Sequence, residues 1–219
     1  MVQLPTVSEA DTLDAVTATP LDDYELIDFG NGRKLERWGQ YVVDCPDRQA
    51  TGEPAQRHWQ ADWVFHAGLG GQSYWDTAGE GLPPEWPVTL QGEMLLCRPD
   101  RKGRVGVHGR DMACAAWVRR RIEGCYDLED IRVLNLFGGN GHVTVHALRG
   151  GASVLHVEAD ADMLQLARAN AGEQNVTWVH DDVMDHVEDL LRHQQRFDLI
   201  ILPVPPIGHG PRGQMWDRE

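Results

Sequence analysis

The chain is 219 residues long and 42% hydrophobic, with 34 acidic against 20 basic side chains and a net charge of −14. That length and apolar content support one large or two small cored domains and exclude a disordered chain. The acidic excess argues against a tight, non-specific hold on a phosphate backbone, and no apolar run approaches the ~18 residues of a membrane-spanning helix.

Residues 1–20 are acidic and weakly apolar, and are expected to be a flexible leader, neither a signal nor a transit peptide. Residues 21–100 are expected to form a small β-rich module. It opens with YELIDF and RKLERWG around Gly30-Asn31-Gly32, which predicts a hairpin with Asn-Gly in the turn. A strand from Tyr41 follows, then a polar loop over 47–60. Short apolar runs punctuated by Gly and Pro fill 61–98. Six of the eight tryptophans lie between Trp38 and Trp117, and core filling is the expected use of most of them; a base-stacking platform is the alternative. Cys45, Cys97, Cys114 and Cys125 are widely spaced without a CxxC pair, which predicts free thiols in a reducing, cytoplasmic setting.

Residues 101–219 change character. Ala115, Val118 and Ile122 share one face of a helix predicted over 111–123, on which Arg119, Arg120 and Arg121 read as a solvated face. Strands are predicted at 131–136, 153–157, 176–179 and 197–202, with helices at 142–149, 162–171 and 184–194 between them. Met163, Leu166 and Ala167 mark the inner face of the second of these helices, and Met184, Val187, Leu190 and Leu191 that of the third. Alternating strands and helices predict a parallel sheet with right-handed crossovers.

The motif-bearing stretch is 131–160, a strand, a glycine turn at Gly138-Gly139-Asn140-Gly141, a helix and a second strand ending in Glu158. Glycines there let the backbone turn sharply and approach a ligand, and the following helix offers unpaired N–H groups. Glu158 is placed to accept two ribose hydroxyls. A dinucleotide fingerprint fails, because no third glycine follows Gly141. Asp182, after the third strand, fits either an adenine-amine acceptor or the N-cap of the helix at 184–194. The segment Pro203–Gly210 is a candidate floor of a reaction site or a rigid exit loop. His142 and His146 have a metal-ligand spacing without a third ligand, so no metal is expected, and the other histidines read as surface residues.

These residues resemble the class I S-adenosylmethionine-dependent methyltransferases, in the branch related to the 23S rRNA cytosine-C5 enzymes. VLNLFGGNG resembles that family's VLNLFAYTG, HVEAD its HVDAS, DDVMDHV its DDALKFV, and GHGPRGQMW its GRGPKGEVW. The similarity covers nearly all of 24–216. It implies a Rossmann-like parallel sheet, here ending after the fourth strand, behind the β-rich module. It also implies S-adenosyl-L-methionine as cofactor, held by Asn135, Phe137, Gly139, Gly141, Glu158, Asp182 and Leu202. RNA is the implied substrate, which the charge of −14 opposes. No catalytic residue is assigned. Where the family reads DPPSFGRG, this chain reads PVPPIGHG, and the family's late cysteine has no counterpart. A non-catalytic binding protein on the same fold is therefore the alternative, with a nucleotide-dependent oxidoreductase third. The apolar strand 197–202 is expected to be an edge covered by a second copy, a partner chain or the leader 1–20.

Overall fold

The structure is a computed structural model and describes residues 22–68, 72–79, 83–107, 109–125, 130–203, 207–209 and 215–217; at 109, 110, 207–209 and 215–217 it describes the backbone alone. The leader and most of the 203–214 segment lie outside the described residues. The chain divides between His108 and Gly109 into two compact units.

In the first unit a five-stranded sheet runs in the order β1 (Tyr24–Gly30), β2 (Arg33–Trp38), β3 (Tyr41–Pro46), β4 (Trp63–Ala67), β5 (Ser73–Thr77). All neighbours are antiparallel except β3 and β4. The expected hairpin joins β1 to β2, with Asn31 and Gly32 both at positive φ as the tight turn requires. A second hairpin, β6 (Trp86–Leu90) and β7 (Glu93–Cys97), turns the same way through Gln91 and Gly92. Trp86, Val88, Leu90, Glu93, Leu95 and Cys97 are its buried side chains, alternating with more exposed ones.

Tryptophans fill this core as expected. Trp38, Trp63 and Trp86 are buried, and Trp63 stacks on Trp86 with ring centroids 5.9 Å apart. Glu36 is buried among them, and donors surround its carboxylate: Tyr24 Oη at 2.8 Å, Lys34 Nζ at 2.9 Å and Trp38 Nε1 at 3.3 Å. Asp28 organises the long loop. Burial raises its pKa, but hydrogen bonds from Gln56, Trp59, Ala55 and Phe29 outweigh that and hold it below the usual carboxylate range.

The second unit carries a parallel sheet in the order β10 (Val176–His180), β9 (Ser153–Glu158), β8 (Arg132–Leu136), β11 (Leu199–Ile201). Among the described residues four helices accompany it: α1 (Gly109–Glu123), α2 (His142–Arg149), α3 (Ala161–Ala171) and α4 (Val183–Arg192). From β8 the chain steps outward through β9 to β10, then returns to the other side of β8. That reversal opens a crevice at the carboxyl ends of β8 and β11, where ligands of open α/β sheets bind. One face of the sheet packs Val133, Val154 and Ile201 against Ala115, Val118 and Ile122 of α1 and Val143 and Ala147 of α2. Residues 207–209 and 215–217 pair as a short antiparallel hairpin, β12–β13, which the sequence reading did not contain.

The helix at 183–192 corrects one expectation. Val183 is its buried residue, and Val187 and Leu190 pack partly against Leu134, Leu136 and Val157. Met184 and Leu191 are 62% and 72% exposed. They share a stripe seven residues apart that faces away from the sheet, so the helix has two apolar faces and one is uncovered among the described residues.

Candidate functional site

Because the four strands are parallel, their carboxyl tips share one end of the sheet. That end gathers the glycine turn after β8, Glu158 at the tip of β9, Asp182 after β10 and Leu202 after β11. The turn is shaped by backbone conformation. Phe137, Gly139 and Gly141 have φ of 51°, 57° and 82°. Such a conformation is costly for an aromatic residue. Phe137 is held there by its ring, which packs against Leu134, Leu136, Val157 and Val183.

The two later glycines serve different ends. A Cβ on Gly139 would meet nothing within 4 Å, so its face of the turn is open for a ligand to reach the backbone. A Cβ on Gly141 would lie 3.0 Å from both Cα and Cβ of Ala167, so this glycine lets the start of α2 approach α3. Gly141→Ala is expected to cost about 2 kcal/mol of stability from the left-handed conformation alone, read as a lower urea midpoint. An unchanged midpoint would contradict the close approach.

Glu158 closes the turn. Its Oε2 accepts the Gly139 amide at 2.9 Å and its Oε1 the Asp160 amide at 2.8 Å. A carboxylate has about four acceptor sites, so each oxygen can take one more donor. Asp182 is buried and caps α4, its Oδ1 accepting the amides of Met184 at 2.8 Å and Asp185 at 3.2 Å. The capping reading of Asp182 is thus realised, and its Oδ2 has no hydrogen bond among those described. Leu202 is 54% exposed just past β11.

Asn135 lies elsewhere. It is buried under the turn, and its Nδ2 donates to Thr144 Oγ1 at 2.9 Å. Thr144 in turn meets His156 Nδ1 at 2.9 Å. His156, read from the sequence as a surface residue, is fully buried, as are His142 and His146. Strand register explains this: Asn135, His156 and Trp178 are direct neighbours across β8, β9 and β10. Burial lowers the His156 pKa to about 3; burial and the neighbouring His146 lower that of His142 to about 3. No cluster of three metal-ligating side chains occurs among the described residues.

A family profile described as "Methyltransferase domain" matches residues 133–215, the stretch that carries these tips. A solved S-adenosylmethionine-dependent methyltransferase from Agrobacterium tumefaciens is 33% identical, with a TM-score of 0.80 over 91% of this chain. The chain belongs to the class I S-adenosylmethionine-dependent methyltransferases. A Streptococcus mutans protein described as such a methyltransferase superposes at a TM-score of 0.61, with 17% identity over 87% of this chain. A methyltransferase complexed with S-adenosylhomocysteine does so at 0.66, with 17% identity over 95%. These two likenesses concern the fold. The chain spans 66%, 55% and 58% of the three proteins in turn. No curated protein matches the chain.

The methyltransferase fold explains the arrangement. The residues present fit an adenosine-bearing cofactor: an open glycine face at Gly139, a carboxylate with spare acceptor sites at Glu158, and a second carboxylate at Asp182. Sequence reasoning found the turn and both acids. It missed the buried pair Thr144 and His156, which helix α2 and the register of β9 bring together without a periodic signal in the sequence.

Proposed function

We infer that the chain binds S-adenosylmethionine across the tips of β8, β9 and β10 and transfers its methyl group to a base of RNA. The observation that carries this is the Gly139 amide held on Glu158 across the carboxyl tips of β8 and β9. Phe137, Gly139 and Gly141 shape the turn that receives the cofactor, with Asn135 beneath it. Glu158 takes the ribose hydroxyls, Asp182 Oδ2 the adenine amine, and Leu202 an apolar side of the cleft. When bound, the sulfonium supplies an electrophilic methyl group, and the protein's part is to orient the acceptor and exclude water. The RNA acceptor rests on the sequence resemblance to rRNA methyltransferases. A reducing, cytoplasmic setting belongs to the same reading and is supported by four free cysteines.

One observation narrows the chemistry. Attack on cytosine C5 needs a thiolate. Burial pushes the thiols of Cys45 and Cys97 well above their ordinary value and that of Cys114 to about 11. None of these three is activated, so none is proposed as that nucleophile; a non-catalytic cofactor-binding protein is the second reading. Calorimetric titration with S-adenosylmethionine and S-adenosylhomocysteine is expected to show binding. Tritiated methyl transfer to total RNA and to cell extract separates enzyme from binding protein. Binding of NADH without either adenosyl ligand would overturn both readings.

The same proposal includes a partner chain, or a second copy, on the β11 edge. Ile200 there is 59% exposed, and no strand pairs beyond β11 among the described residues. The expected result is a solution mass above the 24.6 kDa of one chain, lowered by Ile200→Lys. A monomer at every concentration, alone and in cell extract, would refute this.

A further inference from the structure

The glycine turn rests on a ring. Gly138 opens the turn, its amide donating to Val157 O at 3.1 Å. A Cβ on Gly138 would lie 2.3 Å from Cε1, 2.6 Å from Nδ1 and 2.6 Å from Nε2 of His156. These near-equal distances mean that the backbone of Gly138 lies over the flat of the imidazole, in a place that only glycine fits. The ring is held from the side. Asn135 Nδ2 donates to Thr144 Oγ1, and Thr144 Oγ1 meets His156 Nδ1. The Thr144 hydroxyl has two acceptor lone pairs and one proton, so it bonds Nδ1 in either neutral tautomer of the ring while still accepting from Asn135. Trp178 closes the far side edge-on, its ring centroid 4.7 Å away. The next residue of the turn after Gly138 is Gly139, whose amide reaches Glu158.

We propose that His156 is a positioning residue for the cofactor: clamped by Thr144 and Asn135, its ring sets the height of the turn at Gly138 and so aims the Gly139 amide and the open glycine face. This deepens the proposed function and rests on it. A purely structural buried histidine would lower stability when removed and leave ligand affinity of the folded protein alone. A positioning ring couples the two.

The test uses the full chain with three variants, Gly138→Ala, His156→Ser and both together, and His156→Asn as the conservative one. Two readouts are taken: the dissociation constant for S-adenosylhomocysteine by calorimetry, and amide hydrogen exchange over Phe137–Gly141 without ligand. Each single variant is expected to weaken binding at least tenfold and to speed exchange at Gly139. In the double variant the added methyl occupies room left by the ring, so affinity returns to within about threefold of the parent, a coupling expected only between groups in contact. His156→Asn keeps a polar atom near the Nδ1 position and is expected to fall between. Additive losses in the double variant, or single variants that bind as tightly as the parent, overturn the proposal while leaving the cofactor reading intact. If the parent itself does not bind, the cofactor reading fails. Exchange at Gly139 then decides whether His156 holds the turn at all, and unchanged exchange sinks that too. Should His156→Ser fail to fold, Gly138→Ala and His156→Asn carry the same comparison.

Discussion

Lowering the pH from 6.5 to 5 is expected to reduce the unfolding free energy of the 109–219 unit by about 3 kcal/mol, through His142 and His156 alone. Both rings are buried, and both native pKa values lie near 3 against an ordinary 6.5. Burial is the first cause for each. Below pH 6.5 the unfolded chain binds a proton at each ring and the folded chain does not. Stability therefore rises with pH between 3 and 6.5, is undiminished above 6.5, and is lost progressively as pH falls through that window. The slope is about 1.4 kcal/mol per pH unit for each ring. Native-state amide exchange of β8 and β9 at several pH values measures it. His142→Gln and His156→Asn should each remove one ring's share of the slope. If the variants keep the parent's pH dependence, the two rings are not what titrates.

Glu158→Gln is expected to weaken S-adenosylhomocysteine binding about 100-fold, or ~3 kcal/mol. Two losses combine. The ribose hydroxyls exchange a carboxylate for a neutral amide, and hydrogen bonds to a charged acceptor are the stronger kind. The amide also turns its NH2 group toward either the Gly139 or the Asp160 amide, two donors that the carboxylate now satisfies at 2.9 and 2.8 Å. Glu158→Asp keeps the charge with a shorter reach and is expected to recover most of the affinity. Circular dichroism and the urea midpoint confirm that each variant is folded before titration. Parent-like affinity in Glu158→Gln would remove Glu158 from the site and, with it, the main support for the cofactor reading.

Much of the second unit was legible because its signals are local. Apolar spacing placed the helix at 142–149 where the structure has it, and put Met163, Leu166 and Ala167 inward on α3, where all three are buried. Asn-Gly announced the first hairpin, because few residue pairs accept two left-handed conformations in succession. The glycine turn and Glu158 were legible for the same reason, since a turn that needs positive φ shows itself by its glycines.

What stayed hidden depends on neighbours distant in sequence. Nothing in the run Ser153–Glu158 tells a buried His156 from an exposed one; the register of β9 between β8 and β10 decides it. Met184 and Leu191 follow helical spacing as faithfully as Val187 and Leu190, yet only the latter pair has a sheet to pack against. Composition, period and glycine positions thus determined the fold class, the order of elements and the place of the cleft, because each is an energy of residues close along the chain. The tertiary structure alone decided which polar groups lie beneath the turn and which apolar face lies bare, because burial is an energy of whatever the other strands and helices bring alongside.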